Sequence, residues 1–382
     1  SERNISAVIA EKDVKKALNT LHETFFEVQT RQLNLFILGV GNVGTRFLNQ
    51  VQQQLPYLRE HLRLQLRVIG LSNSRTMAFD EEGIELENWS KTLAAGEQAH
   101  IEGFKERIQS LNMRNSILVD NTASAEVARQ YPDFLSKNIA VVTCNKIACS
   151  SELDYYKQLK GLSQRYLTPF LFETNVGAGL PIIDTLRNLI ISGDSVREIH
   201  AILSGSLNFV FNNFGEGDSF QAIVEEAKVQ GFTEPDPRID LSGVDVMRKI
   251  LILARESGYP LEMENITSDS FLPQSSLDAD SVEDFMTSLG QEEEHFQGLL
   301  KARPNEEHRL KYVASFQKGK ASTGLQSIAP NHPFYELNGS DNIVLFYTDR
   351  YPEQPLIIKG AGAGAEVTAS GIFADIIRIG NF

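Results

Sequence analysis

The 382-residue chain is short of several features that mark whole classes of protein. It has only two cysteines, Cys144 and Cys149. A disulfide-stapled extracellular scaffold needs more, and structural zinc sites need paired C-x-x-C spacing, so a reducing, cytoplasmic setting is expected. No apolar run approaches the roughly 18 residues of a membrane-spanning helix, and no secretion-signal pattern opens the chain. Basic residues are the minority: 36 Lys and Arg stand against 50 Asp and Glu, a net charge of −14. Such a surface repels nucleic acid and anionic membranes, which leaves small-molecule chemistry as the expectation. The seven histidines show no metal-ligand spacing, and H-E-x-x-H, P-loop and G-x-S-x-G motifs are all missing. There is no internal repeat, low-complexity tract or obvious flexible linker.

What is present is an ordinary globular composition, 42% hydrophobic and 23% charged, in a chain too long for one typical core. Ile5–Ile9 reads as a short strand and Asp13–Phe26 as a helix, with Val14, Ala17, Leu18, Leu21 and Phe25 on one face. One strand and one helix cannot bury a core. Residues 1–30 are therefore expected to belong with a missing part of a longer polypeptide, or with a partner, and the start at Ser1 fits such a cut.

From Leu33 onward, apolar strands at Leu35–Leu38, Leu66–Gly70, Ser116–Asp120, Ile139–Thr143 and Pro169–Phe172 alternate with helices near 43–54, Ala125–Tyr131 and Glu152–Lys160. This order predicts an α/β fold with a Rossmann-type doubly wound parallel sheet. After about residue 175 the pattern changes. Helices at Leu180–Ile191, Ser206–Phe214, Ser242–Glu256 and across the acidic stretch 262–308 mix with strands at Arg197–Leu203, Leu310–Phe316, Asn342–Tyr347 and Leu356–Lys359. That predicts a second, α+β domain. The Gly360–Gly364 turn and a helix over 368–379 could return to the first sheet. The expected division is 1–30, then 31–173 with 356–382, then 174–355.

Gly39-Val-Gly41-Asn42-Val43-Gly44 matches G-x-G-x-x-G directly after a strand and at the opening of a helix. Gly39 permits the tight turn, Gly41 lets backbone approach a pyrophosphate, and Gly44 allows close helix–strand packing. The second strand runs into Leu71-Ser-Asn-Ser-Arg75, with no carboxylate for a ribose hydroxyl. Arg75 could pair with a 2′-phosphate, which favours NADP, or be a solvated surface arginine.

Polar groups concentrate between Gly231 and Lys249. Pro235 and Pro237 predict an extended loop, Ser242 a helix N-cap, and Val244, Met247, Ile250 and Leu251 a buried stripe. Asp245 and Lys249 share a helical face. A lysine tuned by burial could carry the proton that alcohol–aldehyde interconversion requires, and Glu234 or Asp245 could hold a substrate ammonium. The same spacing also suits a capping box and a surface ion pair. Lys146 follows a sheet strand's carboxyl end and could reach the nicotinamide or a substrate carbonyl, or cap a helix. Asp120-Asn121-Thr122 ends the preceding strand by the same logic. Glu173 with the glycine-bearing turn to Pro181 could hold a hard monovalent cation or act as a plain hinge. Ser204-Gly205-Ser206 reads as a turn with its hydroxyls facing a cleft.

Together these segments resemble homoserine dehydrogenases, especially the dehydrogenase half of bifunctional aspartokinase/homoserine dehydrogenases, over nearly the whole chain from residue 33. The resemblance rests on Gly39–Gly44, Asn145-Lys146, Glu173–Pro181, Ser204–Asn208, Gly231–Lys249 and the Gly-Ala-Gly tail. It implies reversible NADP- or NAD-dependent hydride transfer between L-homoserine and L-aspartate 4-semialdehyde, within threonine, methionine and isoleucine biosynthesis. By resemblance, Lys249 is the general acid/base and Lys146 the second active-site lysine. Glu234, Asp240, Asp245 and Ser206 are substrate ligands. Gly39, Gly41, Asn42, Val43, Gly44, Arg75, Thr122, Lys146, Gly205, Gly231 and Gly364 contact the cofactor. Glu173, Val176, Ala178 and Leu180 hold a sodium-type cation. The family also implies a homodimer or homotetramer formed through the second domain. Residues 1–30 resemble the end of the regulatory ACT region of aspartokinases, whose kinase region would be covalently linked in the parent chain and is absent here. Ser206 stands where many members have threonine, and Ile239 where an acidic residue is common. The readings kept beside this one are a dehydrogenase of another amino-acid aldehyde and a silent amino-acid-sensing module.

Overall fold

The computed structural model describes residues 6–25 and 30–381. It divides into two compact units. The first holds the residues up to Asn145, Lys157–Phe172 and the C-terminal residues from Ile372. Seven strands form its sheet: β1 (Arg31–Leu38), β2 (Leu64–Ser72), β3 (Thr76–Phe79), β4 (Glu97–Gln98), β5 (Ser116–Asp120), β6 (Ala140–Thr143) and β7 (Phe170–Leu171), in the order β4-β3-β2-β1-β5-β6-β7. The five from β2 to β7 in that order run parallel, and β3 and β4 fold back antiparallel. Leu33, Leu35, Phe36 and Ile37 are fully buried, as a central strand covered on both faces requires. The tail helix Ala365–Gly380 ends in this unit, where the Arg31 guanidinium donates to the Gly380 carbonyl at 3.1 Å.

The second unit comprises Lys146–Tyr156 and Glu173–Gly371. Its sheet has six strands: β8 (Val196–Ile202), β9 (Ile266–Ser268), β10 (Arg309–Gln317), β11 (Lys320–Ile328), β12 (Asp341–Thr348) and β13 (Leu356–Ala361), in the order β13-β12-β8-β10-β11-β9. All neighbours are antiparallel except β11 and β9.

Several expectations need correction. Ser6–Ile9 form no strand, while Ile5 lies outside the described residues. The first helix is Val14–Phe25, with Phe26 outside the described residues, and Val14, Leu18 and Leu21 are exposed. Residues 356–361 do not join the first sheet: β13 completes its hydrogen bonds against β12. The proline stretch is not extended, because Pro237 opens a helix, Pro237–Leu241. Proline fits that first position, where its missing N–H costs nothing, and the Asp236 side chain caps the turn. Ser242 is not the cap of the next helix, Val244–Glu256. Gly243 takes that place at φ +72°, where a Cβ would stand 2.2 Å from the Tyr312 hydroxyl oxygen. Val244 is exposed, and the buried face instead includes Val246, Lys249, Ile250 and Leu253.

Candidate active site

In the first unit, the turn after β1 has the geometry the three glycines require. Gly39 has φ +88° and its N–H donates to the Ser72 carbonyl at 2.8 Å. A Cβ on Gly44 would come within 2.1 Å of the Gly39 carbonyl oxygen. A Cβ on Gly41 would meet nothing within 4 Å. Gly41 thus faces open space at the start of the helix Asn42–His61, which has no side-chain cap and no acidic residue in its first turn. Free amides and the positive end of a long helix suit a pyrophosphate, so the residues fit a dinucleotide.

The neighbouring strand ends are braced from within. Asp120 is fully buried; its carboxylate accepts from the Tyr131 hydroxyl, the Thr122 amide at 2.8 Å and the Asn145 side chain at 3.1 Å. Burial pushes its pKa up against those donors. Asp120 is therefore a structural strut rather than a cofactor contact. Asn121 packs beside Gly39 and Gly44, and both polar atoms of its side chain are buried without a partner among the described residues. Arg75 lies at the exposed tip of the β2–β3 hairpin, where Asn73 Oδ1 accepts from the Arg75 and Thr76 amides at 2.7 and 2.8 Å.

In the second unit, Asp245 stands between two lysines. Its Oδ2 lies 2.8 Å from Lys249 Nζ and its Oδ1 lies 3.3 Å from Lys146 Nζ. Lys249 is 7% exposed and also donates to the Leu203 carbonyl at 2.6 Å. Burial pushes the Lys249 ammonium down in pKa, and Asp245 opposes the shift. Burial alone would raise Asp245, but Lys249 and Lys146 outweigh it and hold the carboxyl well below its usual range.

A second polar group forms beside it. Ser206 Oγ lies 2.6 Å from the Phe232 carbonyl and 2.8 Å from Asp240 Oδ1, while Asp240 Oδ2 accepts from the Glu234 amide at 2.8 Å. The Glu234 carboxylate is exposed. Ser204 spends its hydroxyl as a helix cap, accepting from the Leu207 amide at 3.1 Å, so the two serines do different work. Gly205 is needed for packing, since a Cβ there would lie 2.9 Å from the Ser340 carbonyl. Gly231, at φ +76°, closes the end of the helix Phe220–Val229. Gly364, at φ +111°, accepts from the Thr368 amide at 3.0 Å at the start of the tail helix.

The four expected cation ligands lie in one short loop, with Gly177 and Ala178 at φ +75° and +52°. Glu173 is buried and its two oxygens accept from the Ile183 and Asp184 amides at 2.7 and 2.8 Å, capping the helix Ile182–Ile191. The Leu180 carbonyl accepts from Ile182 at 2.8 Å. A hard cation here would share these oxygens with the helix cap. No group of three or more His, Cys, Asp or Glu suited to a metal occurs among the described residues. No helix among them is long and apolar enough to cross a membrane.

Sequence reasoning missed the Leu203 carbonyl, a main-chain atom with no side-chain signal, and the Tyr131 hydroxyl under Asp120.

The family model for homoserine dehydrogenase matches residues 181–377, and that for its NAD-binding domain matches residues 39–173. The chain is 43% identical over 386 residues to bifunctional aspartokinase/homoserine dehydrogenase 1, chloroplastic, of Arabidopsis thaliana, covering 99% of this chain and 42% of that protein. A bifunctional aspartokinase/homoserine dehydrogenase of Haemophilus influenzae is 39% identical over 379 residues, covering 99% and 46%. The chain thus spans less than half the length of these curated relatives. Among solved structures, a Candida auris protein of unknown function superposes with a TM-score of 0.84 at 35% identity, covering 92% of this chain and 98% of that one. A hyperthermophilic archaeal homoserine dehydrogenase in complex with NADPH gives 0.70 at 25%, covering 91% and 98%. On the family match across both units, the chain belongs to the homoserine dehydrogenase family.

Proposed function

We propose that the chain catalyses reversible oxidation of L-homoserine to L-aspartate 4-semialdehyde with NADP as preferred cofactor. The observation that carries this reading is the Lys249–Asp245–Lys146 chain, which holds a buried amine of lowered pKa on a short carboxylate tether. A nicotinamide held at the glycine turn would supply the hydride chemistry at the substrate's terminal carbon. In oxidation, the hydroxyl proton passes to neutral Lys249 Nζ as the carbonyl forms; in reduction, the ammonium gives it back. The Leu203 carbonyl and Asp245 fix that nitrogen, leaving one position for the substrate oxygen.

Each oxygen of Asp245 already has a lysine partner, so the substrate ammonium is assigned to Glu234, with Asp240 and Ser206 fixing the loop that carries it. Lys146 is assigned to the substrate carbonyl side. The Gly39–Gly44 turn, with Asn42, Val43 and Thr122, cradles the dinucleotide, and Arg75 takes the 2′-phosphate. A monovalent cation is assigned to Glu173, Val176, Ala178 and Leu180, in competition with the helix cap. The second unit forms a homodimer or homotetramer, a kinase region is linked in the parent chain, and Cys144 and Cys149, which form no disulfide, suit a reducing, cytoplasmic compartment.

Steady-state assays with homoserine, comparing NADP with NAD and the wild type with Lys249→Ala, test the reading. Turnover with NADP that the substitution abolishes, with folding retained, supports it. Full activity in Lys249→Ala would remove its basis, and failure with homoserine alongside turnover of another amino alcohol would replace the substrate.

A further inference from the structure

The first unit contains a cavity of about 560 Å³ at the end of its sheet where β1 begins, away from the glycine turn. Gln32, near the start of β1, lines it, whereas Gly39 follows the end of β1. At the usual rise of a strand, seven residues separate the two places by roughly 20 Å. The cavity is therefore distinct from the dinucleotide turn.

Its walls carry six cationic side chains: Lys12, Lys15 and Lys16 from the N-terminal segment and its helix, and Arg67, Arg107 and Arg114 from the sheet and its connections. Among the described residues, the carboxylates at its walls are Glu81, paired with Arg107 at 3.7 Å, and Glu82, and Asp13 stands beside Lys16. In a chain of net charge −14 this is a concentrated reversal of sign. Like charges gathered around a cavity repel unless an anion or bulk water answers them.

Two side chains are held in place as well as charged. Lys16 Nζ donates to Asn112 Oδ1 at 3.0 Å, and the same amide donates to Asp13 at 2.8 Å, so the helix is fastened over the cavity. Burial presses the Lys16 ammonium toward lower pKa, Asp13 opposes the shift and the Arg114 charge adds to it. Arg67 donates through Nη2 to the Glu81 carbonyl, but its Nε is buried and has no partner among the described residues. The charged fork of Arg67 forms part of the cavity wall, and such a fork suits the oxygens of an anion.

We propose that this cavity binds a small phosphate-bearing anion of two or more negative charges, gripped by Arg67, Lys16 and the surrounding cations. Its volume is that of a typical small-molecule site. Mixed arginine forks and lysine ammoniums suit the several oxygens of phosphate better than a planar carboxylate. Because its ligands come from the N-terminal helix and from the sheet, the bound anion also clamps that helix to the unit.

The test is calorimetric titration of the whole chain with inorganic pyrophosphate at low ionic strength, with and without NADPH, and with citrate as a non-phosphate polyanion. Pyrophosphate is expected to bind whether or not NADPH is present, to bind about tenfold more tightly than citrate, and to slow amide exchange across residues 14–25. Arg67→Gln should weaken it at least tenfold. Lys15 and Arg107 are exposed, so the double variant Lys15→Gln/Arg107→Gln gives the same readout should Arg67→Gln fail to fold. The proposal is overturned by absence of binding, by displacement with NADPH, by variants that bind like the wild type, or by citrate binding as well as pyrophosphate.

Discussion

Asp245 Oδ2 lies 2.8 Å from Lys249 Nζ one helical turn further on, while the same carboxylate reaches Lys146 through its other oxygen at 3.3 Å. One anion between two cations makes Lys249 a buried amine whose charge state depends most on Asp245, with Lys146 opposing and Asp240 adding to it. Burial depresses its pKa and Asp245 restores part of it. Removing the anion must therefore lower the lysine further.

For Asp245→Asn, alcohol oxidation uses the neutral amine, so its rate climbs with pH through the lysine's pKa. Asparagine in place of aspartate moves that ascending limb to lower pH. Reduction uses the ammonium, so its descending limb moves the same way. Profiles of kcat against pH in both directions check the sign, and a limb that stays put or moves upward refutes the coupling. Lys249→Met should cost about 10²- to 10⁴-fold in kcat while leaving thermal unfolding cooperative.

The glycine turn separates folding from binding. Gly44→Val would drive a Cβ to 2.1 Å from the Gly39 carbonyl, so the helix must shift off its strand, and a loss of stability of about 2 kcal/mol or more is expected by analogy with overpacked cores. A Cβ added at Gly41 meets nothing within 4 Å, so Gly41→Val places its side chain where the cofactor would lie. It should leave urea unfolding nearly unchanged and raise KM for the cofactor at least tenfold, by filling the place of the phosphates. If the two variants show the same pattern, the separate tasks given to these glycines are wrong.

Arg75 tests cofactor choice. It sits at the tip of a hairpin whose turn is closed by Asn73, not by its own side chain, so the fold does not depend on the guanidinium. Arg75→Gln should raise KM for NADPH about tenfold, in line with about 1.5 kcal/mol for a hydrogen bond to a charged group, with little change for NADH. An equal effect on both cofactors would mean the residue does not read the 2′-phosphate.

What the sequence made legible were patterns carried by adjacent residues. The apolar run ending at Leu38, followed at once by three spaced glycines, specifies a buried strand and a tight turn locally. The Asp245–Lys249 spacing likewise places both on one face. Contacts made across the chain left no such trace. Lys146 and the Leu203 carbonyl reach the same two residues from about 100 and 46 positions away. The strand β11 was hidden because Lys320, Ser322 and Gln326 are polar and Gly324 interrupts it; its pairing with β10 supplies what its composition does not. At Pro237 the local rule pointed the wrong way, since a proline suits an extended loop and a first helical position equally well, and Asp236 tips the choice by capping.

Lys311 shows how a buried charge outside the proposed catalytic group should register in stability. It is 1% exposed in β10, and its ammonium donates to the Leu337 carbonyl at 2.7 Å and to Asn208 Oδ1 at 3.1 Å, and also to Asn212 Oδ1. Burial pushes its pKa down to about 8 from 10.5, Arg309 and Lys359 add repulsion, and Glu336 opposes. The folded value lies below the unfolded one, so between about pH 8 and 10.5 the unfolded chain holds a proton that the folded chain has released. Stability from this group therefore rises with pH across that window, by at most about 3 kcal/mol at 1.36 kcal/mol per unit, and the penalty is complete below it. Other groups titrate there too, so the comparison is with Lys311→Met, which lacks the proton and removes the donor to Asn208 Oδ1 and Asn212 Oδ1, while the Leu337 carbonyl keeps its bond from Asn212 Nδ2 at 3.0 Å. Urea unfolding of both proteins at pH 7.5 and pH 10 should show the wild type gaining on the variant at the higher pH. A difference between them that is the same at both pH values would mean that Lys311 keeps an ordinary ammonium inside the fold.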